Sequence, residues 1–286
     1  MITYKTHQLV EKFLSDIEYQ SQADNARAWQ TKIGLCTGLR GFDWQIGGLR
    51  LGNVLLLVGP NKRLNQAFCA FVMHALCWKQ HKLKGHICVF DDLADRWLEL
   101  LLSAETGVAV DWLRFGFCKA EDREKIQKAA AELEKLQFAI SEIAPKEALA
   151  EGYSLPAENI IVLADFPLEE GKNYENFFCK LKKQASKEGK IVLISCVQDR
   201  KFCEQMNIGT PLRRFGLIDS WCDFICLLSD IPVQHFDETG REISVAPYTP
   251  DAVYLKTLKN SRLPGGLAEF LCHFYDPDFK DKPAKI

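Results

Sequence analysis

The sequence lacks most of the features that would settle a class at once. No C-x-x-C pair occurs among its eleven cysteines, which are odd in number and scattered. Neither a zinc site nor a disulfide scaffold is indicated. Most of these cysteines sit inside apolar runs, where a free thiol behaves as a small hydrophobe, so a reducing cytosol is expected. No run reaches the length of a transmembrane helix. The charged start, MITYKTHQLVEKFLSD, lacks the apolar core of a signal peptide. The expectation is a cytoplasmic protein with no membrane partner. An excess of one charge is missing too: 36 Lys and Arg against 38 Asp and Glu leave a formal charge of −2. Nothing at whole-chain level announces a nucleic-acid binder, and only a local basic patch is left open.

What is present is a normal globular composition. Over 286 residues, 47% are hydrophobic and 26% charged, enough for a real core in one large domain or in a domain plus a small appendage. Residues 6–20 place Leu9, Val10, Phe13, Leu14 and Ile17 at helical spacing on a charged segment. That helix either packs on its own domain or forms an arm that docks on a neighbouring subunit. Polar residues 20–30 follow as a linker. The division expected is an arm over 1–30, a main domain over 31–276 and a polar, frayed tail over 277–286.

Within the main domain, apolar runs alternate with amphipathic ones. Residues 37–53 are expected as short apolar positions and a Gly47-Gly48 turn. Strands are expected at 54–58, 86–90, 138–140, 160–163, 191–195, 223–228, 252–257 and 270–274, and helices at 96–105, 120–137 and 174–188. This pattern argues for an α/β fold, a mostly parallel sheet with helices on both faces. Ligands in such sheets bind beyond the carboxyl ends of the strands. Gly59, Asp91, Asp165 and Cys196 all fall at such ends, which would gather them around one crevice.

The chain is organised around residues 51–76, LGNVLLLVGPNKRLNQAFCAFVMHAL. They read as a buried strand, a loop over 59–65 and an apolar helix from about residue 66. A strand, loop and helix N-terminus of this kind is a ready phosphate site. The phosphate loop G-x-x-x-x-G-K-[ST] would span Gly59, Pro60, Asn61, Lys62, Arg63, Leu64, Asn65 and Gln66. Only its first glycine, Gly59, is in register. Leu64 stands for the second glycine, Asn65 for the lysine and Gln66 for the hydroxyl that binds Mg²⁺.

The order of several stretches resembles the motor domain of the bacterial ring-shaped replicative helicase, the DnaB type. TGLRGFDWQIGGLRLGN (37–53) is similar to that family's T-G-[FL]-x-x-L-D-x-x-x-G-G-L-x-x-G. Leu101, Leu102, Ser103 and Glu105 fit its L-L-S-x-E helix, and Leu113, Arg114 and Gly116 its L-R-x-G. LKKQASKEGKIVLIS (181–195), LRRFGLIDSWCD (212–223) and LKNSRLPGG (258–266) follow in the same order. The resemblance covers residues 30–276 and implies a RecA-like fold preceded by a helical linker arm. It leaves only that linker, residues 6–20, ahead of the motor, without the family's primase-docking domain. It also implies helicase-type subunits as partners, either copies of this chain or a replicative helicase, held through the 6–20 helix.

The departures from the family pattern fall on the chemistry. A phosphoryl-transfer motor needs a lysine on the phosphates, Mg²⁺ on a hydroxyl, a base for water and an arginine finger in trans. Asn65 loses a charge-assisted contact worth ~1.5–3 kcal/mol, and Gln66 is a poor substitute on Mg²⁺. Lys62 or Arg63 would have to supply charge from another position. Asp91 falls where the family has its catalytic glutamate, one methylene longer. Asp165 matches its second acidic motif, and is equally a strand-end aspartate capping a turn. Cys196 replaces a nucleotide-sensing glutamine. In the finger hairpin Lys259 is kept, while Ser261 takes the arginine position and Arg262 lies one residue on, which on a strand faces the other side. The pattern is that of a pseudo-ATPase with no certain cofactor. The alternative is a divergent, active DNA-dependent ATPase or helicase that uses ATP and Mg²⁺. Single-stranded DNA would meet the loops 168–173, with Lys172, and 199–214, with Arg200, Lys201, Arg213 and Arg214. Acidic residues interleave there and Phe202 is the only aromatic, so plain solvated loops are the better-supported reading.

Overall fold

Strands and helices alternate as the apolar runs foretell. The computed structural model describes residues 34–90, 92–208, 211–230, 235–236, 242–243, 252–260, 267–271 and 279–281. The first half comprises α1 (Arg40–Ile46), β1 (Val54–Gly59), α2 (Lys62–Met73) with a π-helical continuation (His74–Lys79), β2 (Gly85–Val89), α3 (Ala94–Thr106), α4 (Val110–Phe115), α5 (Ala120–Leu133) and β3 (Phe138–Glu142). Next come α6 (Pro145–Ala148), β4 (Ile160–Ala164), α7 (Glu175–Glu188), β5 (Ile191–Val197), α8 (Arg200–Ile208), a 3-10 turn (Pro211–Arg213), α9 (Ile218–Trp221) and β6 (Phe224–Ser229). A short hairpin of β7 (His235–Phe236) and β8 (Glu242–Ile243) precedes β9 (Ala252–Asn260), β10 (Leu267–Leu271) and β11 (Lys280–Asp281).

Among the described residues the large sheet has nine strands in the order β11-β10-β9-β6-β1-β5-β4-β2-β3. From β6 to β3 every pair is parallel, while β9, β10 and β11 are added antiparallel at one edge. The continuous apolar run of β1 is explained by burial on both faces. Leu55 and Leu57 enter one core with Phe42, Phe68 and Trp97. Val54, Leu56 and Val58 enter the other with Phe166, Phe178 and Phe215. The architecture is the expected α/β, RecA-like one.

Polar anchors fix the start of the central strand. Asp223 Oδ2 accepts from the Val54 N–H at 2.8 Å and from Lys182 Nζ at 2.6 Å, and Lys182 also reaches the Gly52 carbonyl at 2.8 Å. One carboxylate thereby ties β1, α7 and the approach to β6 together.

Four local expectations are corrected. Residues 40–46 form a helix rather than short apolar pieces. Asp43 organises its entry by accepting from the Thr37 N–H and hydroxyl and from the Gly38 N–H at 2.8–2.9 Å. Its Gly47-Gly48 exit has positive φ at both glycines, and a Cβ on Gly48 would sit 2.8 Å from the Gly34 carbonyl carbon. Second, α2 starts at Lys62 and not near residue 66. Asn61 is extended and its side chain accepts from the Leu64 N–H at 3.2 Å, capping a helix that no glycine interrupts. Third, residues 200–208 are helical, not loop: the Asp199 carboxylate accepts from the Phe202 N–H at 2.8 Å, and Phe202 is buried against Phe215. Fourth, the tail is not simply frayed. Phe279 is buried beside Phe68 and Phe71, with ring centroids 5.4 and 5.7 Å apart, and β11 pairs with β10. The expected strand at 270–274 is met only by β10, which ends at Leu271; residues 272–274 and the helical arm at 6–20 lie outside the described residues.

Candidate functional site

The strand order brings the carboxyl ends of β1, β5, β4 and β2 side by side. Val58 pairs with Cys196 and Gly59 with Val197, while Asp165 follows β4 and Asp92 lies just past β2. The crevice expected at these ends is filled by side chains from the first turn of α2. Pro60 and Asn61 alone connect β1 to that helix. Asn61 Nδ2 donates to Asp230 Oδ2 at 3.2 Å, so the connection is also tied to the end of β6.

Three phosphate-loop positions turn inward. Leu64 is fully buried in the core that holds Phe68. Asn65 is fully buried as well, and its Nδ2 donates to the carbonyls of Cys196 at 3.1 Å and Gly59 at 3.4 Å. That placement gives Gly59 a packing role, because a Cβ there would lie 2.4 Å from Asn65 Oδ1 and 2.6 Å from the Leu228 carbonyl oxygen. Cys196 itself is buried, and burial pushes its thiol well above the ordinary range. It supplies a carbonyl here rather than a side chain.

Gln66 and Lys62 join two carboxylates. Gln66 Nε2 donates to Asp165 Oδ2 at 2.5 Å and to Asp92 Oδ2 at 2.7 Å. Lys62 Nζ lies 3.2 Å from the same oxygen of Asp92 and 3.6 Å from that of Asp165. Asp165 adopts a left-handed backbone, φ +59°, and its N–H donates to Ser195 Oγ at 2.9 Å. Burial raises its carboxyl to about 6, against the opposing pull of Gln66 and Lys62. Burial also opposes ionisation of Asp92. There the Leu93 N–H, Gln66 and Lys62 outweigh it and hold the carboxyl below its usual value. The two acids are therefore driven apart: Asp92 is the firm anion and Asp165 the one ready to take a proton.

This donor set does not fit a magnesium–nucleoside triphosphate. At the hydroxyl position an amide N–H, not an oxygen, faces the carboxylates. The ammonium of Lys62 sits against the oxygens a cation would need. Among the described residues no cluster of three or more His, Cys, Asp or Glu is arranged to hold a metal. Chemically the arrangement neutralises its own charge inside the chain.

Other expected site residues are placed as follows. Arg63 is exposed on the first turn of α2. Lys259 is on β9 and donates to the carbonyls of Cys222, at 2.7 Å, and Asp219, so it is engaged within its own chain. Asp91 and Arg262 lie outside the described residues. Lys172 pairs with Glu169 at 2.7 Å and Arg214 with Glu170 at 3.4 Å, so acidic neighbours neutralise both. Arg200, Lys201 and Arg213 are exposed, and Phe202 is buried away from any stacking role. Sequence reasoning missed Asp92, which holds Lys62 and Gln66. The one available signal was the Asp91-Asp92 doublet at a strand end, where either carboxylate can point inward.

No family model and no curated protein matches the sequence. The fold does have solved counterparts. A solved ATPase domain is similar at a TM-score of 0.66 and 16% identity, over 96% of this chain and 99% of that one. The structure of a DnaB-like replicative helicase and its interactions with primase is similar at a TM-score of 0.65 and 16% identity, over 94% of this chain. This chain spans 65% of the length of that helicase. At such identity the likeness establishes the RecA-like fold.

Proposed function

We propose that this protein is a helicase-type RecA-like subunit that acts in DNA replication or mobile-element maintenance by binding and assembly, without turning over nucleoside triphosphate. The fold's likeness to a solved ATPase domain and to a DnaB-like replicative helicase supports the helicase-type half of the reading. The observation that carries the other half is the Lys62 ammonium, 3.2 and 3.6 Å from Asp92 and Asp165. An internal cation stands where a motor recruits an external one. Its partners would be helicase-type subunits, its own copies or a replicative helicase, engaged through the amphipathic segment 6–20. Contact with single-stranded DNA is a minor part of this proposal, because acidic neighbours pair with Lys172 and Arg214.

The test is steady-state ATP hydrolysis in Mg²⁺ by the purified protein, with and without single-stranded DNA, beside Lys62→Ala. The expected result is no turnover above background in any arm. DNA-stimulated hydrolysis by the wild type that Lys62→Ala abolishes would overturn the reading and establish an active ATPase with a displaced lysine.

A further inference from the structure

Beside the filled crevice lies a separate cavity of about 580 Å³ between the first turn of α2, α3, the turn into α4, and α5. Its volume is in the range of small-molecule sites. Four cationic side chains line it against two carboxylates: Arg63, Arg96, Arg114 and Lys125 face Asp111 and Asp122. Two of the four are already engaged. Arg114 holds Glu99 at 2.5 Å, and Lys125 lies 4.0 Å from Asp122. Among the described residues the one ion pair of Arg96 is a long 3.8 Å contact with Asp92, a carboxylate also held by Lys62 and Gln66. Arg63 has no ion pair among the described residues. The cavity therefore presents two guanidinium forks with donors to spare, the geometry that suits a phosphate group.

One further wall defines what accompanies the phosphate. Trp112 lines the cavity and is half exposed, so an aromatic ring of a ligand can pack on it. We propose that this cavity is a binding site for a small aromatic organic phosphate of the nucleoside monophosphate class. Arg63 and Arg96 take the phosphate and Trp112 the ring. The site takes Arg63 from the phosphate-loop stretch but is otherwise built from α3, α4 and α5, and it involves neither Mg²⁺ nor hydrolysis.

The test is equilibrium binding of AMP in EDTA, followed by calorimetry and by quenching of tryptophan emission, with adenosine and inorganic phosphate as partial probes. AMP is expected to bind saturably below about 5 mM and more tightly than either part. Arg63→Ala and Arg96→Ala should each weaken it roughly ten- to a hundredfold. Trp112→Ala should weaken it and Trp112→Phe retain it, with the quench lost in both. Arg63 is exposed and makes no ion pair among the described residues, so its variant folds and serves as the clean arm. No saturable AMP binding, or affinity unchanged in Arg63→Ala, would overturn the proposal. Adenosine or phosphate binding as tightly as AMP would do the same. Because no nucleotide is hydrolysed here, the outcome is independent of the turnover test.

Discussion

Replacing Asp165 by Asn isolates a buried carboxyl whose charge the fold disfavours. The carboxyl titrates near 6 in the folded chain and near ~3.9 when unfolded. Between these values the folded state keeps a proton that the unfolded state has released. Stability from this group is therefore highest below pH 4, falls as pH rises to 6 and is flat above 7. A gap of about two units corresponds to roughly 3 kcal/mol at 1.36 kcal/mol per unit. The attraction of Lys62 is already contained in the folded value, so it is not subtracted again. Asparagine is close in shape, tolerates the left-handed φ of +59° and does not titrate. The stability difference between Asp165→Asn and wild type should thus grow by about 2–3 kcal/mol in favour of the variant from pH 4 to pH 7. On a chain of this size that is roughly 3–5 °C in melting temperature. Urea titrations of both proteins at several pH values measure it directly. A difference that does not change over the window would refute the assignment of a buried, proton-hungry Asp165. A change of the opposite sign would place its carboxyl below the unfolded value.

Restoring the phosphate-loop residues with Leu64→Gly, Asn65→Lys and Gln66→Thr should not create a motor. Leu64 is fully buried, so its loss costs about 2–5 kcal/mol as a cavity and about 1 kcal/mol more as a helical glycine; a triple variant as stable as wild type in urea would contradict this packing. Asp223→Ala should cost about 2–4 kcal/mol, because it strips the partner from the Val54 N–H and from Lys182 at once. A urea midpoint shift equal to that of Lys182→Met alone would show that the strand anchor contributes nothing.

Much of the fold is legible in the sequence because parallel strands buried on both faces announce themselves as short apolar runs. VLLLVG, IIVLA and IVLIS are such runs, and the structure makes each a strand of the sheet. Their ends locate the crevice. The motif-like stretches encode architecture more than chemistry: Thr37, Gly38 and Asp43 close a turn, while Lys182 and Asp223 pin a strand. What was not legible is direction. A helix can begin at any capped residue, and only the extended Asn61 decides that it begins at Lys62 rather than near Gln66. That choice sends Asn65 toward the sheet carbonyls and Lys62 toward the acids. Nor does a doublet such as Asp91-Asp92 declare which member faces inward. The helix at 200–208 is hard to see in the sequence because its charges hide the single apolar face formed with Phe202 and Cys203.

The central position of β1 has a consequence for how the protein is made. Its sheet neighbours are β5 and β6, and the Asp223 that anchors Val54 lies 169 residues further along the chain. During synthesis this apolar strand emerges early and waits for both flanks, its backbone groups unpaired. Long-range parallel pairing of this kind folds slowly and leaves sticky edges exposed meanwhile. Soluble yield should therefore depend on chaperone supply and growth temperature more than on the stability of the finished fold.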